Sequence, residues 1–234
     1  MPKIQTVLTP LLLQLNNLSE KVVVVIDILR ATSSICVAFA YGAERIIPVA
    51  TPEESLSYAK LGFICAAERD GRPVKGFDIG NSPYSYMEPS IMGASIAMTT
   101  TNGTHAINLS KGATLVVIGS FLNKKGLCDY LVQQERDVVL LCSGWKNNFN
   151  LEDTLFAGAV ALELQDKFVI SDDATIAAMD LYGQAKDDLH GYIQKSSHAH
   201  RFAALGIEKD IAFCLQQDIY NIVPILEGDF LVIG

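Results

Sequence analysis

The run VVVVI at Val22–Ile26 limits the fold more than any other stretch of the chain. A strand alternates its side chains between two faces, so five successive β-branched residues leave no polar face for water. A strand of that kind has to be covered on both sides, as in a mostly parallel sheet layered by helices. IQTVLT, RIIPVA, FICAAE, SIAMTT, LVVIGS and VVLLCSG repeat the theme. Helical patterns lie between them, at roughly 33–41, 52–60, 101–109, 123–134 and 151–164. Thr51-Pro52-Glu53-Glu54 has the form of a helix start, with a Thr cap, Pro at the first position and acids in the first turn. The alternation predicts a three-layer α/β fold whose sheet is largely parallel or mixed and flanked by helices. Residues 1–170 form this sheet region. Residues 171–234 read as a mainly helical C-terminal section that closes on a final strand, FLVIG. No linker composition separates the two, so one continuous domain accommodates both.

The chain has 18 Lys and Arg against 26 Asp and Glu, a net charge of −8, which argues against a nucleic-acid binder. Its apolar runs fall far short of the roughly 20 residues that a membrane span requires, and no secretory leader is apparent. The five cysteines are odd in number and scattered without a CxxC pair, which argues against a disulfide framework and a zinc site. The expectation is a cytoplasmic protein with neither nucleic-acid nor membrane partners. A homodimer is the base-rate expectation for oligomeric state.

Ligands of open α/β sheets bind beyond the carboxyl ends of strands. There this chain places Asp27, Arg30, Thr32 and Ser33; Glu68, Arg69, Asp70, Asp78 and Asn81; Thr99 to Thr104; Gly119, Ser120 and Asn123; and Cys142, Gly144, Glu152 and Asp153. Asp27 follows the most apolar strand, so its charge needs a partner. Arg30 could pair with it, or Asp27 could hold Mg²⁺; Glu68 and Asp78 favour the metal. Thr32 or Ser33 reads as a helix cap. A helix start also offers N–H groups to a phosphate, beside Arg30. The stretch TTTNGTHAI repeats the design, with Thr100, Thr101, Asn102, Gly103 and Thr104 as an anion cradle. No Walker motif or GxGxxG is present. Asp172-Asp173 read as a helix cap, and GNSP as a turn before a helix.

Taken in order, VVVVIDILRATSS, AAERDG, FDIGNSPYSY, TTTNGTHAI, GSFLN, CSGWKNNFNLEDTLFAG and SHAHRFAALGIEKDIAFCLQQD resemble the 2-phosphosulfolactate phosphatase (ComB) family. That resemblance implies Mg²⁺-dependent hydrolysis of 2-phospho-3-sulfolactate to 3-sulfolactate and phosphate. It adds Ser82 and His198 to the site. Two residues depart from the family pattern: Trp145, the only tryptophan, where a small residue or glycine is expected, and Ala199, where glycine is expected.

The scheme this implies has Mg²⁺ held by Asp27 with Glu68 or Asp78, and the phosphoryl group bound by Arg30 and the TTNGT turn. Arg69 or Lys146 would meet the carboxylate and sulfonate. Glu152, Asp153 or His198 would move the proton. A haloacid-dehalogenase route lacks its second acid, since Leu29 stands two residues after Asp27, and Cys142 has no arginine at cysteine-phosphatase spacing. The competing function is a module that binds or senses a phosphorylated small acid without turnover.

Overall fold

The computed structural model describes residues 1–234. Its strands are β1 (Lys3–Val7), β2 (Val22–Ile26), β3 (Arg45–Pro48), β4 (Ile64–Arg69), β5 (Arg72–Pro73), β6 (Ser95–Thr99), β7 (Leu115–Gly119), β8 (Val138–Cys142), β9 (Val169–Ile170), β10 (Pro224–Glu227) and β11 (Phe230–Ile233). The helices are α1 (Ala31–Ala40), α2 (Pro52–Ser57), α3 (Gly103–Leu109), α4 (Lys124–Gln134), α5 (Leu151–Leu164), α6 (Asp173–Ala185), α7 (Leu189–Ile193), α8 (Ser197–Leu205) and α9 (Glu208–Cys214). All strands join one mixed sheet, in the order β5-β4-β6-β3-β11-β10-β7-β2-β8-β1-β9.

Strand β2 is fully buried and divides its side chains between two cores, as its sequence requires. Val22, Val24 and Ile26 join a cluster of 34 buried residues with α4 to α9. Val23 and Val25 join a second cluster of 25, which includes α1, α3 and residues of β3 and β6. Helix α1 is apolar around nearly its whole circumference, and nine of its ten residues are buried. A helix without a polar face belongs in an interior.

Two parallel blocks make up the sheet: β9-β1-β8-β2-β7 and β3-β6-β4. The C-terminal hairpin β10-β11 lies between them, antiparallel to β7 on one side and to β3 on the other. The blocks therefore run in opposite senses. Neighbouring strands twist by roughly 20–25°, and over the five steps from β2 to β6 the rotation exceeds a right angle. The ends of β2, β4 and β6 meet across the twisted sheet instead of sharing one straight rim. FLVIG forms β11 as expected; β10, in the run IVPIL at 222–226, was not among the expected strands.

Local signals account for several helix starts. Thr51 Oγ1 accepts from Glu54 N–H at α2, and Asp172 Oδ1 accepts from Thr175 N–H at α6. Helix α5 starts at Leu151, where LEDT placed it. GNSP is followed by a short 3-10 turn, Pro83–Tyr86. Helix α1 begins two residues earlier than expected, with Arg30 at the cap position. Thr32 thus lies inside the helix, where its hydroxyl donates to Asp27 O and accepts from Asp27 N–H. All five cysteines are free and buried. No helix is long and apolar enough to cross a membrane.

Leu231 on β11 is fully buried in the second core and pairs with Ile46 of β3. Leu231→Ala is expected to cost about 2–5 kcal/mol, measured by urea denaturation, as for other buried leucine truncations.

Candidate active site

Two helix starts meet at Asp27. The turn from β2 into α1 packs against the turn from β6 into α3, with Gly103 at the contact. A Cβ on Gly103 would overlap Ala31 Cβ and come within 2.8 Å of Asp27 Oδ2. Glycine is therefore required by this close approach. Asp27 Oδ1 accepts from Ala31 N–H at 3.3 Å, and the positive ends of both helices face its carboxylate.

A small cavity opens beside Asp27, lined by Asp27, Leu29, Arg30, Glu68, Gly71, Asn81, Asn102, Trp145, His198 and Phe202. Its free interior is about 10 Å³, the room of one water molecule. A larger cleft of about 400 Å³ lies between the Pro10–Leu18 segment and α3, but it contains no acid and one histidine, His105. Acid–base chemistry belongs to the tight cavity.

Burial pushes the Asp27 carboxyl up to about 7; His198 opposes the shift, while Glu68 and Glu152 add to it. Glu68, at the end of β4, accepts from Thr101 N–H and Oγ1–H and from Gly71 N–H. These bonds tie β4 to the TTNGT turn. Arg30 does not pair with Asp27. Its Nη1 pairs with Asp210 on α9, its Nη2 donates to Gly71 O at 2.9 Å, and its guanidinium lies over the Phe202 ring. Asp210 also accepts from Ser82 Oγ. It lies 180 residues from Arg30, and no local pattern in the sequence marks it as the partner.

His198 reaches the cavity from α8. Its Nδ1 bonds to Glu152 Oε1, which also accepts from Asn150 Nδ2. Glu152 is fully buried, and its Oε2 has no partner. It stands behind His198 as the orienting carboxylate. Asp153 does not line the cavity: its two oxygens accept from Ile28 N–H and Gly144 N–H, fastening the ends of β2 and β8 together. Burial, with Asp27 and Glu152 nearby, pushes its carboxyl well above the usual carboxylate range.

Several expected site residues stand elsewhere. Asp78 is exposed at the start of β4, the end opposite Glu68, where it accepts from Cys65 N–H at 2.8 Å. Cys142 points into the apolar core and donates no surface to the site; burial raises its thiol well above the usual value. Ser33 donates to Ile28 O within the turn. Thr100 and Thr104 satisfy each other, each hydroxyl accepting the other's N–H at 3.1 Å. Ser120 and Asn123 form a capping box at the entry to α4. Arg69 donates to Glu68 O, Ala50 O and Thr99 Oγ1 and faces a separate cleft with Thr100, Thr101 and Thr104. Lys146 is exposed and pairs with Asp70 at 2.7 Å. Its N–H donates to Asn102 Oδ1, which ties the Trp145 loop to the TTNGT turn. Gly144 sits in that loop with φ of 62°. Ala199 is buried in the first core.

The geometry has a counterpart among known proteins. The model of the 2-phosphosulpholactate phosphatase family matches residues 7–229. The chain belongs to this family. It is 41% identical over 211 residues to a Thermotoga petrophila protein named probable 2-phosphosulfolactate phosphatase, covering 90% of this chain and 91% of the relative. A relative of the same name from Caldanaerobacter subterraneus subsp. tengcongensis is 37% identical, with coverage of 91% and 90%. A third, from Clostridium acetobutylicum, is 36% identical, with coverage of 89% and 90%. Within this phosphatase family the present chain has a Trp145 wall on its cavity.

Asp27 is costly as a bare carboxylate. Its pKa rises from 3.8 unfolded to about 7 folded, so folding is penalised wherever the carboxylate is ionised. The penalty is absent below pH 4, grows as pH rises and is complete above pH 7. In chelator, Asp27→Asn is expected to be more stable than the parent at pH 8 by on the order of 4 kcal/mol. By pH 4 the gap should close, as read from denaturation midpoints across pH.

Proposed function

We propose that this chain is a phosphatase that hydrolyses 2-phospho-3-sulfolactate to 3-sulfolactate and phosphate with the help of Mg²⁺. The observation that carries the reading is a histidine, His198, held by a buried carboxylate and facing the same cavity as Asp27 and Glu68. A pure anion binder gains nothing from two acids beside its ligand.

The donor set suits Mg²⁺, which is typically held by one or two carboxylates together with substrate oxygens and waters. Asp27 spends only Oδ1 on a protein donor, Glu68 Oε2 receives a single N–H, and Asn81 Oδ1 is buried without a partner. No group of three acid, histidine or cysteine side chains makes a closed cage. Asp27 and Glu68 would hold the ion, with Asn81 beside them. When bound, the ion neutralises phosphoryl charge and lowers the pKa of water.

Arg30, which lines the cavity, binds the phosphoryl oxygens, while the first N–H groups of α1, from Ala31 and Thr32, are spent on Asp27. Asp210 and Phe202 fix the Arg30 guanidinium, so little side-chain freedom is lost on binding. Glu152 takes the Nδ1 proton of His198 into a hydrogen bond, which leaves Nε2 as the basic nitrogen toward the cavity. His198 Nε2 accepts a proton from attacking water, and the departing alkoxide, on the opposite side of phosphorus, takes its proton from solvent. Cys142 is too deeply buried to serve as a nucleophile.

The test is phosphate release from 2-phospho-3-sulfolactate and other phosphorylated hydroxy acids, with Mg²⁺ and with chelator. Release is expected only with the metal, and His198→Ala is expected to lower kcat by about 10²–10⁴. Ligand-induced stabilisation without release from any compound would favour a binding module instead. Turnover by Asp27→Asn that still depends on Mg²⁺ would remove Asp27 from the metal site.

A further inference from the structure

Arg201 lies on α8 one turn beyond His198, and the Trp145 indole reaches both. The His198 ring is 5.3 Å from the indole, and the Arg201 guanidinium carbon is 4.3 Å from its centroid. Arg201 Nη1 bonds to Ser197 Oγ at 3.2 Å, but Nε and Nη2 are shut off from solvent and meet no acceptor. Those two nitrogens form the side-on edge of the guanidinium, whose parallel N–H bonds match two oxygens of an oxyanion.

A buried donor edge with no acceptor is costly. Arg30 shows how the fold ordinarily meets that cost, with a carboxylate and a carbonyl on its nitrogens. Glu152 is near enough to favour the Arg201 charge but makes no ion pair with it; its Oε1 is committed to His198 and Asn150. Arg201 is thus a cation with a free fork, next to the catalytic histidine and behind a movable indole.

The cavity as it stands is far too small for a three-carbon acid carrying further anionic groups. Trp145 is the wall that can yield. It belongs to a short turn closed on itself by the Trp145–Asn148 backbone bonds and rooted at Gly144 on Asp153; beyond that root only the exposed Lys146–Asp70 pair and the bond to Asn102 hold it to the rest of the fold. Exposed pairs of this kind contribute little. Moving the indole enlarges the cavity and uncovers the Arg201 fork in one step.

We propose that Arg201 is a specificity residue whose Nε–Nη2 edge receives the sulfonate of the substrate when the Trp145 loop moves aside. This rests on the substrate reading given above. The sulfonate sulfur stands one bond farther from the phosphorylated carbon than the carboxylate carbon does. It suits a donor beyond the cavity wall.

The experiment compares wild type, Arg201→Lys and Arg201→Met on 2-phospho-3-sulfolactate and on 2-phospholactate, which lacks the sulfonate. Calorimetry with 3-sulfolactate and lactate supplies a second readout. Both variants are expected to lose roughly ten- to hundredfold in kcat/KM on the sulfonated compound. On 2-phospholactate they should stay within about twofold of wild type, which also shows that they fold. Lysine should recover only part of the loss, since it has no fork. Equal losses on both substrates, or no loss on either, would overturn the assignment. So would wild type binding 3-sulfolactate no better than lactate. If wild type released phosphate from neither compound, yet Arg201→Met lost 3-sulfolactate binding, the catalytic reading would fail and the Arg201 assignment would stand.

Discussion

Too many carboxylates share one dry interior, and the rest of the site follows from how each is satisfied. Asp27, Glu68, Glu152 and Asp153 are all buried near one another, while the basic side chains near them are Arg30, His198 and Arg201. Arg30 is itself matched by Asp210. Buried acids without cations have to find N–H donors, and free N–H groups are most plentiful where helices begin. The starts of α1, α3 and α5 are therefore drawn to the same place. Asp153 uses the N–H groups of Ile28 and Gly144, and Glu68 uses those of Thr101 and Gly71. Asp27 is left least compensated, and it is the acid that lines the cavity.

That convergence needs an unusual sheet. In a flat parallel sheet, β2 and β6 would lie far apart, and the two parallel blocks here run in opposite senses. Twist brings their ends together around α1, a helix apolar enough to fill the middle. Packing and chemistry are linked at Gly103. The absence of a side chain lets α3 approach α1 and lets the TTNGT turn reach Asp27.

Much of this was legible locally. β-Branched runs identified the interior strands, because a pleated strand with no polar residue has no solvent face. Thr51, Asp172 and Leu151 marked helix starts through short-range rules. Asp27, Glu68, Asn81, Asn102 and His198 were all singled out from position or resemblance, and all line the cavity. The failures were long-range. Asp78 follows β4 closely in sequence, but the chain doubles back and returns it to the start of that strand. The Arg30–Asp210 pair spans most of the chain, so Asp27 was a reasonable but wrong partner. Cys142 was expected at the rim, but the strand's alternation turns it into the core. Strand β10 lies in the run IVPIL, where Pro224 argues against a central strand, yet β7 and β11 flank it.

The placement of the final hairpin has a consequence for how the protein is made. Strands β10 and β11 follow every other strand in the sequence, yet they occupy the middle of the sheet and join its two blocks. Until they emerge, β7 and β3 both present open edges, the surfaces on which chains pair wrongly with one another. A nascent chain halted before Pro224 has every side chain that lines the cavity but no seam to hold the halves in register. Docking of this hairpin, more than the appearance of any one catalytic residue, sets the moment at which the site is assembled.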